Sequence, residues 1–242
     1  MYFLLFGEGS SDLGYSIDNP GPLVTALEHL AQEVSTETLV YDYVQKSRLQ
    51  TTIKNHGSRK KMLLRGNKRK HSYLITIQKY AMGLGLIAME TDNCGIVFFH
   101  DCDYTHSEVN DPDKYYRQLV MCMERGFAQA QNHSGVAMVP KPRSESWFLC
   151  HYQDTPYHNC ERFEDLPAND AAEGSGKKLL AQHFKCSENE IYQHVDPGAI
   201  DWGRIDAPSF LFFKTRFQHV IQRLTGQPTT VSEPETLMTA TT

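Results

Sequence analysis

The chain has no apolar run approaching the roughly 20 residues that a membrane-spanning helix needs. Its opening, MYFLLFGEGSSD, is apolar but short, lacks a basic flank and turns acidic at once, so it reads as a first strand rather than a signal peptide. The six cysteines include no CxxC pair. With no export signal they are expected to be free thiols in a reducing cytoplasm, and no membrane partner is expected. Cys150, His158 and Cys160 match no standard zinc spacing and lack a fourth ligand. Two phosphate-binding loops are missing as well. GEGSSD is not a dinucleotide fingerprint, because Asp12 stands where a third Gly is required. EGSGKK is not a Walker A loop, because Ala171 replaces the first Gly and Lys178 the Ser or Thr; its Gly-Ser-Gly is read as a helix entry. Internal repeats are absent.

Acid is also missing from one long stretch. Residues 46–70 carry ten Lys and Arg without a single Asp or Glu, so the remainder holds −15 against a total of −5. A basic segment on an acidic body can meet phosphates although the sequence pI is about 6.1. It holds no interleaved aromatics, which leaves stacking on single strands unsupported.

What is present is an alternation of strand and helix patterns. With 242 residues, 40% of them hydrophobic, the chain can build one large domain or a domain with a modest appendage. Residues 2–6 (YFLLF) read as a buried strand entering a polar loop, 22–33 as a helix opened by Pro, and TLVYDYV (38–44) as a second strand. A helix is expected over 72–89, after the basic stretch. GIVFFHDCD (95–103) is the clearest strand, 111–131 a helix with an acidic first turn, and GVAMVPKPRSESWFL (135–149) a fourth strand turning into a helix or bend. Residues 151–175 are polar and irregular; 176–184 and 208–224 read as helices. The Thr-, Pro- and Glu-rich end from about 227 reads as a disordered tail. The expected architecture is an α/β fold: a mainly parallel, Rossmann-like sheet flanked by helices. Residues 1–150 form its core, with a basic insertion at 46–70, and a helical C-terminal extension over 151–226 packs on that core.

Ligands of open parallel sheets bind at the carboxyl ends of the strands. Two strands here end in acids, the first in Glu8 and the third in Asp101 and Asp103. Residues two apart in an extended segment point the same way, so both aspartates can aim at one point, and Glu8 can reach it if those strands are neighbours. Converging carboxylates cannot all stay ionised without a cation. An oxygen-only set suits Mg²⁺ or Mn²⁺, and Asp12 and Glu145, in further strand-end loops, can help hold a second ion. Each acid alone also suits a helix N-cap, and His100 and His106, which flank the aspartates, suit ordinary solvated or hydrogen-bonded roles.

GEGSSD after an apolar strand, followed about ninety residues later by FFHDCD, resembles the TOPRIM domain, which places a Glu after its first strand and a DxD after its third. The resemblance covers roughly residues 1–140. PRSESWFL, GSGKKLL and PSFLFF are similar to segments of the small TOPRIM-like proteins of the DUF4276 type, and the nucleases of the OLD type belong to the same broad family. The resemblance implies a metal-dependent nuclease. Glu8 would be general acid/base or metal ligand, Asp101 and Asp103 would hold the ion, and Glu145 and Lys177 match by position only. It further implies nucleic acid as partner, an ATPase as a second subunit, and a role in defence against phage. Self-association is left open.

Three rival readings use the same residues. HDCDYT contains the DxDxT of haloacid-dehalogenase-like phosphatases, with Asp101 as nucleophile, although that motif is usually on a first strand and needs a later acidic pair that EDLPAND does not place after a strand. A DxD also holds Mn²⁺ in nucleotide-sugar glycosyltransferases. A TOPRIM subunit that only binds nucleic acid or protein is the third. Within the nuclease reading, Arg59, Lys60, Lys61, Lys68, Arg69 and Lys70 are the expected contacts to the phosphate backbone.

Overall fold

A computed structural model describes residues 1–7, 9, 11–57, 72–103 and 111–228. Glu8, His106, the basic residues Arg59, Lys60, Lys61, Lys68, Arg69 and Lys70, and the expected tail from 229 onward lie outside the described residues.

The elements run in the order β1 (Tyr2–Gly7), β2 (Gly14–Ser16), β3 (Asn19–Pro20), α1 (Pro22–Gln32), β4 (Val40–Tyr43), α2 (Lys46–Gly57), α3 (Ser72–Ala88), β5 (Cys94–Phe99), α4 (Pro112–Gln129), β6 (Gly135–Met138), α5 (Glu145–His151), α6 (Gly176–Phe184), α7 (Ile191–His194) and α8 (Pro208–Thr225). Short 3₁₀ turns occupy Cys160–Asp165 and Trp202–Arg204. The main sheet has four strands in the order β4-β1-β5-β6, and every pairing in it is parallel. The fold is therefore α/β, as the alternating pattern predicts.

Strands β1 and β5 are the inner pair, and their sequences show what that costs in hydrophobicity. A strand covered on both faces needs apolar residues at odd and even positions alike. In β1, Phe3 and Leu5 enter one core, while Leu4 and Phe6 enter the other. In β5, Val97 and Phe99 join the first core, and Ile96 and Phe98 the second. Strand β6 divides in the same way, with Val136 and Met138 on one side and Ala137 on the other. Helices α2, α3 and α4 cover the second core. The first is closed by α1, α5 and α8, with Trp147, Phe210, Phe213 and Phe217 all fully buried. Each such side chain contributes about 1.5–3 kcal/mol on leaving water. The segment beyond residue 150 thus shares a core with the sheet itself.

Helix α1 forms where Pro22 presets the first turn and Leu23, Ala26, Leu27 and Leu30 recur on one face. Asp111 caps α4 by accepting a hydrogen bond from the Lys114 backbone N–H at 2.8 Å. Helix α6 starts at Gly-Ser-Gly, where the Ser175 side chain accepts from the Lys178 N–H.

The first part of the basic stretch, residues 46–57, is a helix that buries Leu49 against α3 and turns its polar residues outward. Two expectations need correction. Strand β5 ends at Phe99, so the HDCD segment is loop rather than strand. Cys150 and Cys160 are not free thiols but form a disulfide. The chain reverses after α5 through left-handed residues Tyr157 and Asn159 and brings the two Cα atoms to 5.1 Å, a return that cysteine spacing alone does not reveal.

The crossing of α3 and α4 depends on Gly126. A Cβ there would collide with the Gln78 carbonyl oxygen, and would sit 2.6 Å from the Ala81 Cβ and 2.9 Å from the Met82 nitrogen. Helix propensity alone makes Gly126→Ala stabilising by up to about 1 kcal/mol, but contact with backbone atoms should reverse the sign and cost about 1–3 kcal/mol. Urea unfolding measures this directly; a raised midpoint at unchanged slope would show that the two helices separate freely.

Candidate functional site

The sheet changes direction at β1. The chain leaves it for β4 on one side and returns past it to β5 on the other, and this is where α/β sheets form their ligand crevice. Gly7 and Phe99 are register partners at the carboxyl ends of β1 and β5. The loops that follow them carry Asp12 and Asp101, and the loop after β6 carries Arg143, Ser144 and Glu145.

Asp12 is brought into place by its own loop. Gly9 takes a φ of 102°, and a Cβ there would lie 2.7 Å from the Asp12 carboxylate, so both the turn and the close approach require glycine. The Asp12 side chain is buried, at 4% exposure. Its Oδ1 accepts from the Ser144 hydroxyl and from the Tyr192 hydroxyl, the latter at 2.7 Å; its Oδ2 accepts from Ser11 at 3.2 Å. Glu145, also 4% exposed, opens α5 and lies 3.2 Å from the same Tyr192 oxygen. A phenol has one hydrogen to donate, so Tyr192 cannot satisfy both ionised acids. Asp101 accepts from the Ser144 backbone N–H at 3.1 Å. Gly176 packs with its Cα side against Glu145, where a Cβ would come within 3.0 Å of the Glu145 Cβ.

The electrostatics follow from this crowding. Burial pushes the Glu145 carboxyl up to about 7, with the charge of Asp12 adding to the effect. Burial raises Asp12 too, against the opposing hydrogen bonds from Ser144 and Tyr192. Asp101 is held well above the ordinary carboxylate range by burial and by the charges of Asp12 and Glu145. The three acids repel one another, and a proton or a cation relieves them.

The neighbouring cations are engaged. Arg143 donates to Asp103 at 2.8 Å and to Asp170 at 3.2 Å, and Lys177 stands 3.8 Å from Asp170. The two aspartates of HDCD flank the fully buried Cys102, but they do different things. Asp101 belongs to the acidic cluster, and Asp103 belongs to the Arg143 ion-pair network. The expectation that both aim at one point is corrected accordingly. The strand has ended, and Arg143 takes up Asp103.

Of the residues expected from sequence, Asp12, Asp101 and Glu145 come together, with Asp103 and Lys177 beside them through Arg143 and Asp170. Glu8 and the six basic residues are outside the described residues. Sequence reasoning passed over Ser144, Arg143, Asp170 and Tyr192. PRSES and EDLPAND hinted at the first three by carrying charge at loop ends; nothing in EIYQH distinguishes Tyr192.

The donor chemistry of the cluster suits a hard divalent cation, since every candidate ligand is a carboxylate or hydroxyl oxygen. These acids are not drawn into a ready cage. Among the described residues, the group that brings three metal-ligating atoms within 4.8 Å of one another is Cys150, Cys160 and Asp206, where the two sulfurs are already bonded to each other. A separate cleft of about 380 Å³ opens at the carboxyl ends of β1 and β4, lined by Gly7, Tyr15, Tyr43, Gln45 and Lys46 among others. Among the described residues no helix is long and apolar enough to cross a membrane. No protein-family model, curated protein or solved structure matches the chain.

The raised Glu145 predicts a pH signature. Its folded-state value of about 7 exceeds the ordinary glutamate value of 4.5, so the folded chain binds this proton more tightly than the unfolded chain. The associated stability is fully present below about 4.5 and is lost as pH rises through about 7. Glu145→Gln should therefore gain stability relative to wild type at pH 8, on the order of 1–3 kcal/mol in metal-free buffer, with the advantage vanishing near pH 4. Chemical unfolding across that range measures it, and a pH-independent difference would place the cause in packing.

Proposed function

We propose that the chain is a Mg²⁺- or Mn²⁺-dependent phosphodiester hydrolase acting on nucleic acid. The observation that carries this reading is the cluster of Asp12, Asp101 and Glu145 at the carboxyl ends of adjacent parallel strands, each raised by burial and by its neighbours. A binding module gains nothing from burying carboxylates where phosphates must approach, whereas a divalent ion relieves their repulsion.

Asp101, Asp12 and Glu145 are the ligands this reading assigns, together with Glu8, which the TOPRIM resemblance implies. When bound, the ion supplies positive charge at the phosphate and makes a water acidic enough to attack. Tyr192 couples Glu145 to Asp12 through a single hydroxyl. Arg143 and Lys177 offer cationic donors to a phosphate oxygen in exchange for Asp103 and Asp170. Arg59, Lys60, Lys61, Lys68, Arg69 and Lys70 supply backbone contacts to a long substrate. An ATPase partner and a defence role rest on the resemblance.

Labelled DNA and RNA incubated with rising Mg²⁺ or Mn²⁺ should be cleaved by the wild type. Glu8→Gln, Asp101→Asn and Glu145→Gln should each lower the rate by more than about 100-fold, the scale of losing one electrostatic anchor of a transition state. The same ions should raise the melting temperature of the wild type by mass action and leave that of Asp101→Asn unmoved. Full cleavage by Asp101→Asn would overturn the reading.

A further inference from the structure

A second site lies at the other end of the sheet. Between the last turns of α4 and the C-terminal half of α8 is a cavity of about 450 Å³, bordered by Gly135, the first residue of β6. The acidic cluster follows the opposite ends of the strands, so the two places are separated by the length of the sheet. The volume is within the range of small-molecule sites, about 300–1,000 Å³.

The cavity is unevenly charged. Arg125, Arg216 and Arg223 line it with a single acid, Glu124, which binds Arg216 at 2.9 Å. The guanidiniums come from two different helices, and His133 and His219 extend the polar wall. Burial lowers Arg223, and the charge of Arg216 lowers it further: two cations are held near each other in a protein whose overall charge is −5. Cations at helix C-termini offset the helix dipole, and Arg223, in the last turn of α8 beside the His133 carbonyl that it caps, answers that description. Arg216 does not, since it lies more than two turns before the end of α8, beyond the reach of the terminal effect. Arg125 is exposed and has no ion pair among the described residues.

With its partner counted, the arginine set leaves an excess of two positive charges, which matches a phosphate monoester carrying close to two negative charges at pH 7. Guanidinium forks suit phosphate oxygens better than ammonium groups do. Met121, which is half-buried, and Phe127 and Val220, which are almost wholly buried, complete the lining. We infer that this cavity binds a small phosphate monoester, with its phosphate on Arg125, Arg216 and Arg223.

Calorimetric titration of the full chain with AMP, GMP, CMP and UMP, beside adenosine and inorganic phosphate, tests this. At least one nucleotide should bind, adenosine should not, and Arg125→Ala and Arg216→Ala should each weaken binding by about tenfold or more. Asp101→Asn should leave the affinity unchanged. The wild-type melting temperature with and without nucleotide should repeat the ranking, and the variants' own melting curves report whether they fold. Absence of binding by all four nucleotides at millimolar concentration would overturn the proposal. So would affinity unchanged in both arginine variants, affinity lost in Asp101→Asn, or binding of an oligonucleotide without binding of any mononucleotide.

Discussion

Two-sided burial of β1 and β5 is the constraint on which the rest of the molecule depends. Both strands are hydrogen-bonded along both edges and covered on both faces. Their backbone polar groups are therefore consumed by the ladder, and their side chains are consumed by two separate cores. Polar chemistry has no place along these strands and is expelled to their ends. Carboxylates collect at the carboxyl ends because three successive strands each hand over to a polar loop there. The arginine-lined cavity occupies the opposite end, where α4 and α8 terminate beside the start of β6.

The acidic end is strained electrostatically rather than sterically. Asp12 and Glu145 are almost wholly buried and share one phenolic hydroxyl, while the donor to Asp101 among the described residues is the Ser144 backbone N–H. Arg143 is close enough to act on Asp101 and Glu145 but is committed to Asp103 and Asp170. The ion pairs of Arg143 go to the outer acids, and its weaker influence on Asp101 and Glu145 leaves both raised by burial.

The segment after residue 150 is part of this arrangement. It supplies Asp170 and Lys177 around Arg143, Gly176 against Glu145, and Tyr192 between Asp12 and Glu145. It also closes the first core through Phe210, Phe213 and Phe217. Removing it would open the core and strip Asp12 and Glu145 of the Tyr192 hydroxyl between them, so fold and site are coupled through the same stretch of chain.

Local pattern was enough for most of the architecture. YFLLF and GIVFF are uninterrupted apolar runs bounded by polar loops, which two-sided burial demands, and the helical spacing of 22–32 and 208–225 follows from one-sided burial. Asp12, Asp101 and Glu145 were legible as acids at strand ends, because strand ends are marked by where apolar runs stop. The pairing of Asp103 with Arg143, the disulfide between Cys150 and Cys160, the helix over Lys46–Gly57 and the role of Tyr192 were not. The disulfide needs the local reversal after α5, and the others depend on a partner far along the chain or on packing against a neighbouring helix: forty residues separate Asp103 from Arg143, and 180 separate Asp12 from Tyr192. Periodicity records which face of an element is buried and says nothing of what meets it there. The sequence by itself thus determined the strands, their order along the chain and the candidate acids. Only the tertiary structure decided which acids crowd together, because charge repulsion and hydrogen bonding act on distance in space, and the order of residues leaves that distance open.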